Sequence, residues 1–194
     1  MSKDRVSAIC KALDEKVSAF RERPLEGAYP YLWLDAKHLK VRDSHAGHVR
    51  SKALVVAYAV HDSGRREVIG IDLGEVETEA FWTEFLRSLR ARGLGGVRLC
   101  TSDHHEGLKA AIARILDCPW QRCTVHFVRN MQGHCRPKER GIVKAALREI
   151  FAAEDLEQAR LHLGRVLERF GEKLPKVAAL LEAAEEDLLA FYRF

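Results

Sequence analysis

Val6, Ile9, Cys10, Leu13, Val17 and Phe20 recur at helical spacing behind the capping candidates Ser2 and Asp4, and Pro24 closes the segment. The spacing predicts one amphipathic helix within residues 1–24. A single helix cannot bury its stripe against itself, so it must pack on the domain that follows or belong to a further N-terminal region. From Tyr31 the pattern changes to short apolar runs bounded by turn residues. YLWLDA (31–36), LVVAYAVH (54–61) and REVIGIDLG (66–74) predict three strands, the last two joined by a hairpin-like turn. Phe81, Trp82, Phe85, Leu86 and Leu89 then mark a helix ending at Gly93. VRLCTSD (97–103) predicts a fourth strand, EGLKAAIARILD (106–117) a helix, and WQRCTVHF (120–127) a fifth strand.

The order is β-β-β-α-β-α-β, a three-stranded meander followed by alternating units that demand parallel additions to the same sheet. After Cys135 the strand signals stop. Three helical stripes follow: Val143 to Phe151, Leu156 to Phe170, and Val177 to Phe191. The expected fold class is therefore α/β, a mixed sheet followed by an all-helical piece.

Composition narrows the function classes. With 47% hydrophobic and 31% charged residues over 194 positions, the chain reads as a soluble globular protein. No apolar run approaches the roughly 18–20 residues that cross a bilayer, and MSKDRVSAIC lacks the apolar block of a signal peptide. A cytoplasmic location without a membrane partner is expected. Cys10, Cys100, Cys118, Cys123 and Cys135 are odd in number and scattered, which suits reduced thiols. The net charge of +4 says little, but its distribution says more. Residues 29–53 carry five Lys and Arg against two acids, and residues 120–140 carry five against one.

Each basic segment adjoins candidate chemistry. Asp35 follows YLWL in the first strand, and Asp103 ends the fourth. A carboxylate approached by apolar residues needs a partner, and a divalent cation is the partner that two converging carboxylates supply. Two bound Mg²⁺ ions would clamp the attacking and leaving oxygens of a phosphodiester displacement. Structural alternatives stand beside this. Asp103 with Glu106 three residues later also spells a helix capping box, and Asp35 could end a short strand paired with Lys37 or Arg50. Cys123-x2-His126 with His134 and Cys135 resembles the parts of a zinc site only weakly. Adjacent His134 and Cys135 cannot easily both reach one tetrahedral ion, so zinc is not expected. Lys37, Lys40, Arg42, Arg50, Lys52, Arg122 and Arg129 suit either a solvated face or contact with a phosphate backbone. Trp82 and Trp120 could stack on bases, although Trp82 lies in a helical apolar stripe.

The stretches ERPLEGAYPYLWLDAKHLKVR, REVIGIDLGEVETEAFWTEFLRSLRARGLGGVRLCTSDHHEGLKAAI and WQRCTVHFVRN resemble, in order and spacing, the bacterial insertion-sequence transposases of the Mutator type. The resemblance implies a ribonuclease-H-like catalytic fold with three acids, Asp, Asp and Glu. It assigns Asp35 as the first acid, Asp103 as the second, and Cys123 and His126 as the family's C-x2-H motif. Residues 1–24 become a linker helix from an N-terminal DNA-binding region, 25–135 a partial catalytic core, and 136–194 the helical insertion that precedes the Glu. The third acid, in an Arg-rich context on a later helix, has no counterpart here; Glu185, Glu186 and Asp187 lack that context. The implied activity is Mg²⁺- or Mn²⁺-dependent cleavage and strand transfer at insertion-sequence ends, weak or absent in this fragment. The implied partners are DNA, further copies or a full-length transposase, in a bacterial nucleoid. The alternative expectation is a non-enzymatic remnant that binds DNA or intact transposase and modulates it.

Overall fold

The computed structural model describes residues 2–42 and 48–194; Asp43, counted in the first basic segment, lies outside them. The protein is α/β with a five-stranded mixed sheet in the order β3-β2-β1-β4-β5. It divides into two compact units, Met1–Cys100 with Glu106–Cys118, and Thr101–His105 with Pro119–Phe194.

In the first unit, β1 (Tyr31–Arg42), β2 (Val49–Val60) and β3 (Arg66–Gly74) form an antiparallel meander. β1 and β2 are longer than the apolar runs predicted: past Ala36, Leu39 and Val41 carry the alternation on among charged residues, and the pairing runs out to Arg42 opposite Val49. Leu32, Leu34, Ala53, Val55, Ala57 and Ala59 share the buried face. Helix α2 (Glu79–Ala91) covers that face with Phe85, Leu86 and Leu89, and α3 (Glu106–Leu116) packs beside α2 through Leu108 and Ile112. The approach is close: a Cβ on Gly70 of β3 would stand 2.6 Å from Leu89 and 3.3 Å from Phe85. Trp82 is core, fully buried, with its indole N–H unbonded among the described residues.

Helix α1 (Lys3–Glu22) is capped by the Ser2 hydroxyl, which accepts from the Arg5 amide. The expectation that its stripe packs on the following domain fails for most of its length. Val6, Ile9, Leu13 and Val17 are 41–55% exposed and no α1 residue is buried. Only its C-terminal end is held, where Arg21 pairs with Asp72 at 2.7 Å and Arg92 donates to the Phe20 carbonyl.

The chain leaving α1 is fastened through Glu67. Its carboxylate accepts from Arg23 at 2.8 Å, from Arg65 at 3.0 Å and from the Tyr29 hydroxyl at 3.1 Å. Burial pushes this carboxyl up, but the three donors outweigh burial and hold it below its ordinary value. A carboxylate depressed in the fold contributes stability that is complete above its unfolded pKa and lost as pH falls through the folded one. Glu67→Gln should therefore cost about 1–3 kcal/mol at pH 7. Thermal melts of both proteins should converge as pH drops below about 4. An equal deficit at pH 3 and pH 7 would assign the loss to packing instead.

The second unit is helical apart from the end of β4 (Leu99–Ser102) and β5 (Trp120–Arg122). Helices α4 (Thr124–Gly133), α5 (Arg140–Phe151), α6 (Leu156–Gly171), α7 (Pro175–Glu182) and α8 (Glu185–Leu188) follow. Phe127, Met131, Val143, Leu147, Ile150, Leu163, Val166, Phe170 and Leu181 build one core among them. The predicted fifth strand over 120–127 is thus corrected: it ends at Arg122. Phe127 and Met131 are four apart and both buried while Val125 is exposed, so from Thr124 onward burial follows a helical period. The third predicted stripe is also broken, at Ala183, into α7, α8 and a 3₁₀ turn over Ala190–Arg193.

Buried Gln121 holds the end of α8 and the 3₁₀ turn after it. Its amide donates to the carbonyls of Leu188 (2.9 Å) and Arg122 (2.7 Å) and accepts from the Phe191 amide (2.9 Å). Gln121→Leu would strand these backbone groups at a cost of about 2 kcal/mol or more. The expected result is a lower denaturant midpoint with an unchanged slope.

Candidate functional site

Asp35 lies in β1 opposite Val56. The alternation that buries Leu32 and Leu34 turns Trp33 and Asp35 to the other, exposed face. The apolar approach expected from sequence is therefore corrected: the flanking leucines point away from Asp35. One carboxylate oxygen accepts from the Ala36 amide at 3.0 Å. On the same face Trp33 meets Tyr58 edge-on, with ring centroids 5.9 Å apart and both rings exposed. Sequence reading missed this pair; the i, i+2 relation of Trp33 to Asp35 was the available signal.

Asp103 directly follows β4. Helix α3 starts at Glu106, whereas a capping box with Asp103 would need Glu106 at the third helical position. The turn carrying Asp103 is fixed within the second unit. The Trp120 indole N–H donates to the buried Ser102 hydroxyl (2.9 Å), which donates to the Asp103 carbonyl (2.9 Å). The Cys123 amide donates to the Ser102 carbonyl at 2.7 Å. Arg122 stacks over the Phe127 ring at 4.8 Å. Burial lowers its guanidinium pKa, and the nearby Asp187 and Asp103 carboxylates oppose that shift. Arg122 thus faces carboxylates, a placement its expected role on a phosphate backbone did not anticipate.

Cys123 is the N-cap residue of α4 and His126 stands in its first turn, with Nδ1 buried and unbonded among the described residues. His134 ends α4 in an exposed position. Cys135 is buried, and its thiol donates to the Met131 carbonyl at 3.1 Å. Among the described residues no group of three or more His, Cys, Asp and Glu side chains is gathered as a metal cluster. All five cysteines are free thiols. Burial raises the pKa of Cys100 well above its ordinary value and that of Cys118 to about 11.

The first basic segment is split by its own register. Lys37, Lys52 and Arg50 share the face of Asp35, while Lys40 and Arg42 lie on the opposite one. Lys52 pairs with Glu75 at 2.9 Å. Lys37, Lys40 and Arg42 form no ion pair among the described residues. Arg129 is exposed on α4.

These features define a sheet-based protein with one acid on β1 and another following β4. The family model described as "Transposase, Mutator family" matches residues 1–194, and the chain belongs to that family. It is 43% identical over 196 residues to the transposase for insertion sequence element IS1081 of Mycobacterium tuberculosis, covering 100% of this chain and 47% of that protein. It is 38% identical over 193 residues to the transposase for ISRM5 of Rhizobium meliloti, covering 99% and 48%. The chain thus spans about half the length of the curated relatives it matches. The Drosophila P element transposase strand transfer complex overlays with a TM-score of 0.42 at 12% identity, covering 88% of this chain and 52% of that one, a likeness too distant to carry an argument. Among the described residues no helix is long and apolar enough to cross a membrane.

Proposed function

We propose that this chain is the catalytic region of an insertion-sequence transposase with a ribonuclease-H-like fold, and that Asp35 and Asp103 are two of its metal-binding acids. The observation that carries the reading is family membership over the whole chain, together with an exposed carboxylate on β1 and a second one at the end of β4, the strand next to β1 in the sheet order. The donors fit the group: two carboxylates offer only hard oxygen ligands, the set that Mg²⁺ and Mn²⁺ take. Bound there, the ions supply charge stabilisation for the attacking and leaving oxygens of phosphodiester displacement. Asp35 and Asp103 would be the residues that hold those ions. A water oxygen attacks phosphorus and the P–O3′ bond breaks; the freed 3′-hydroxyl then attacks a target phosphate, expelling a second 3′-oxygen. Lys37, on the face of Asp35, holds the DNA backbone. Ser102 and Trp120 position Asp103, and Arg122 balances its charge.

The test is incubation of the protein with labelled element-end DNA and Mg²⁺, followed by gel separation of nicked and joined products. Mg²⁺-dependent products that EDTA removes support the reading. Products that persist in EDTA would sink it. Oligomers of this chain and association with a longer transposase belong to the same proposal, checked by sedimentation with and without DNA.

A further inference from the structure

Helices α4 and α5 of the second unit border a groove of about 630 Å³. Arg129 lines it from α4, and Lys144 and Arg148, four residues apart on one side of α5, line it from across. No carboxylate lines it, and none of these three cations forms an ion pair among the described residues. Other arginines of the same unit are neutralised: Arg136 by Glu139, Arg160 by Glu185 and Glu186, and Arg193 by Glu186. Three unpaired like charges on one concavity repel one another, which leaves the groove complementary to an anion. Its floor has a different character. Val125 and Val128 of α4 and Phe151 of α5 line it beside the cations, Val125 exposed and the other two half-buried where they pack on the unit's core.

A free phosphate would gain nothing from that floor, and a duplex presents its phosphates with its bases stacked away. Single-stranded nucleic acid combines spaced phosphates with flat apolar bases, the combination that basic grooves with an aromatic platform bind. We propose that the α4–α5 groove binds a single-stranded DNA segment, with phosphates on Arg129, Lys144 and Arg148 and a base against Val128 and Phe151. This rests on the reading of the protein as one that acts on DNA, and it makes the helical unit a holder of a separated strand.

The experiment is fluorescence anisotropy with a labelled 20-nucleotide single strand and the matching duplex, titrated with the 194-residue protein over a salt series. The variant R129A/K144A/R148A should weaken single-strand binding at least about tenfold. It should also flatten the log–log salt dependence by about 2, near 0.7 per lost phosphate contact. All three side chains are exposed, so its melting temperature should match the wild type. Phe151→Leu should weaken the single strand more than the duplex. Removing Lys3, Lys11 and Lys16 from α1 should change neither. Triple-variant affinity within twofold of wild type, with wild-type binding intact, overturns the groove and leaves the DNA reading standing. Equal losses for strand and duplex with Phe151→Leu silent overturn the single-strand assignment, as does displacement of the strand by poly-glutamate at equal charge concentration. A wild-type protein that binds neither DNA at low salt overturns both readings.

Discussion

In a transposase that carries this chain together with the third acid, Asp35→Asn should abolish Mg²⁺-dependent DNA cleavage and joining, a fall of at least about 100-fold, with the fold unchanged. The size follows from the chemistry. A two-metal site supplies several kcal/mol of transition-state charge stabilisation, and each 1.36 kcal/mol is a factor of about ten in rate. Asn is isosteric and keeps an oxygen to accept from the Ala36 amide, so it removes charge without removing shape. Because Asp35 is exposed, its neutralisation should leave the melting temperature within a degree or so. Asp103→Asn should do the same, and the double variant should be no worse than either single one, since residues that act as a unit lose their function together. Mn²⁺ binding followed by paramagnetic resonance gives a readout independent of turnover: either substitution should weaken it. Additive losses, or intact Mn²⁺ binding in both variants, would remove the two acids from a common site.

Gly93→Ala should be among the most damaging substitutions for stability, costing about 3 kcal/mol or more. Gly93 follows α2 with φ +111°. Its amide donates to the Arg90 carbonyl, and the Leu94 amide donates to the Leu89 carbonyl, both at 3.0 Å, which closes the helix with a Schellman motif. Leu89 and Leu94 are both buried behind it. Positive φ alone costs a non-glycine residue about 1–2 kcal/mol. Here a Cβ would also press into the Leu25 carbonyl oxygen, and that loop is fixed by the Leu25 amide donating to the Arg92 carbonyl at 2.6 Å. Backbone cannot yield as a side chain can. Gly64 is the matched control: its φ is +83°, but nothing lies within 4 Å of where a methyl would stand, so Gly64→Ala should cost only the conformational part. Denaturant melts that rank the two equally would refute the steric share of the argument.

Much of the fold was legible because burial imposes a period. REVIGIDLG coincides with β3, and the stripe from Phe81 to Leu89 with its terminal Gly93 coincides with α2 and its cap. Where burial does not govern the backbone, the reading failed. The distal halves of β1 and β2 are largely exposed, with Leu39 and Val41 only half-buried among charged residues, and residues 124–127 are too short a run for their apolar pattern to separate strand from helix. The acids were legible as outliers in apolar runs, yet the environment read for Asp35 was wrong, because a period of two puts it on the face opposite its leucine neighbours.

By itself the sequence determined the family and the order of elements as far as β4 and α3, and it marked Asp35 and Asp103 as candidate acids, since each is written in local spacing or in similarity along the chain. Only the tertiary structure decided which side chains share a place. Gln121 reaches Leu188 and Phe191, Arg122 faces Asp103 and Asp187, and Arg129 shares a groove with Lys144 and Arg148. Those meetings are set by how helices and strands pack across long sequence separations, for which no local pattern carries a signal.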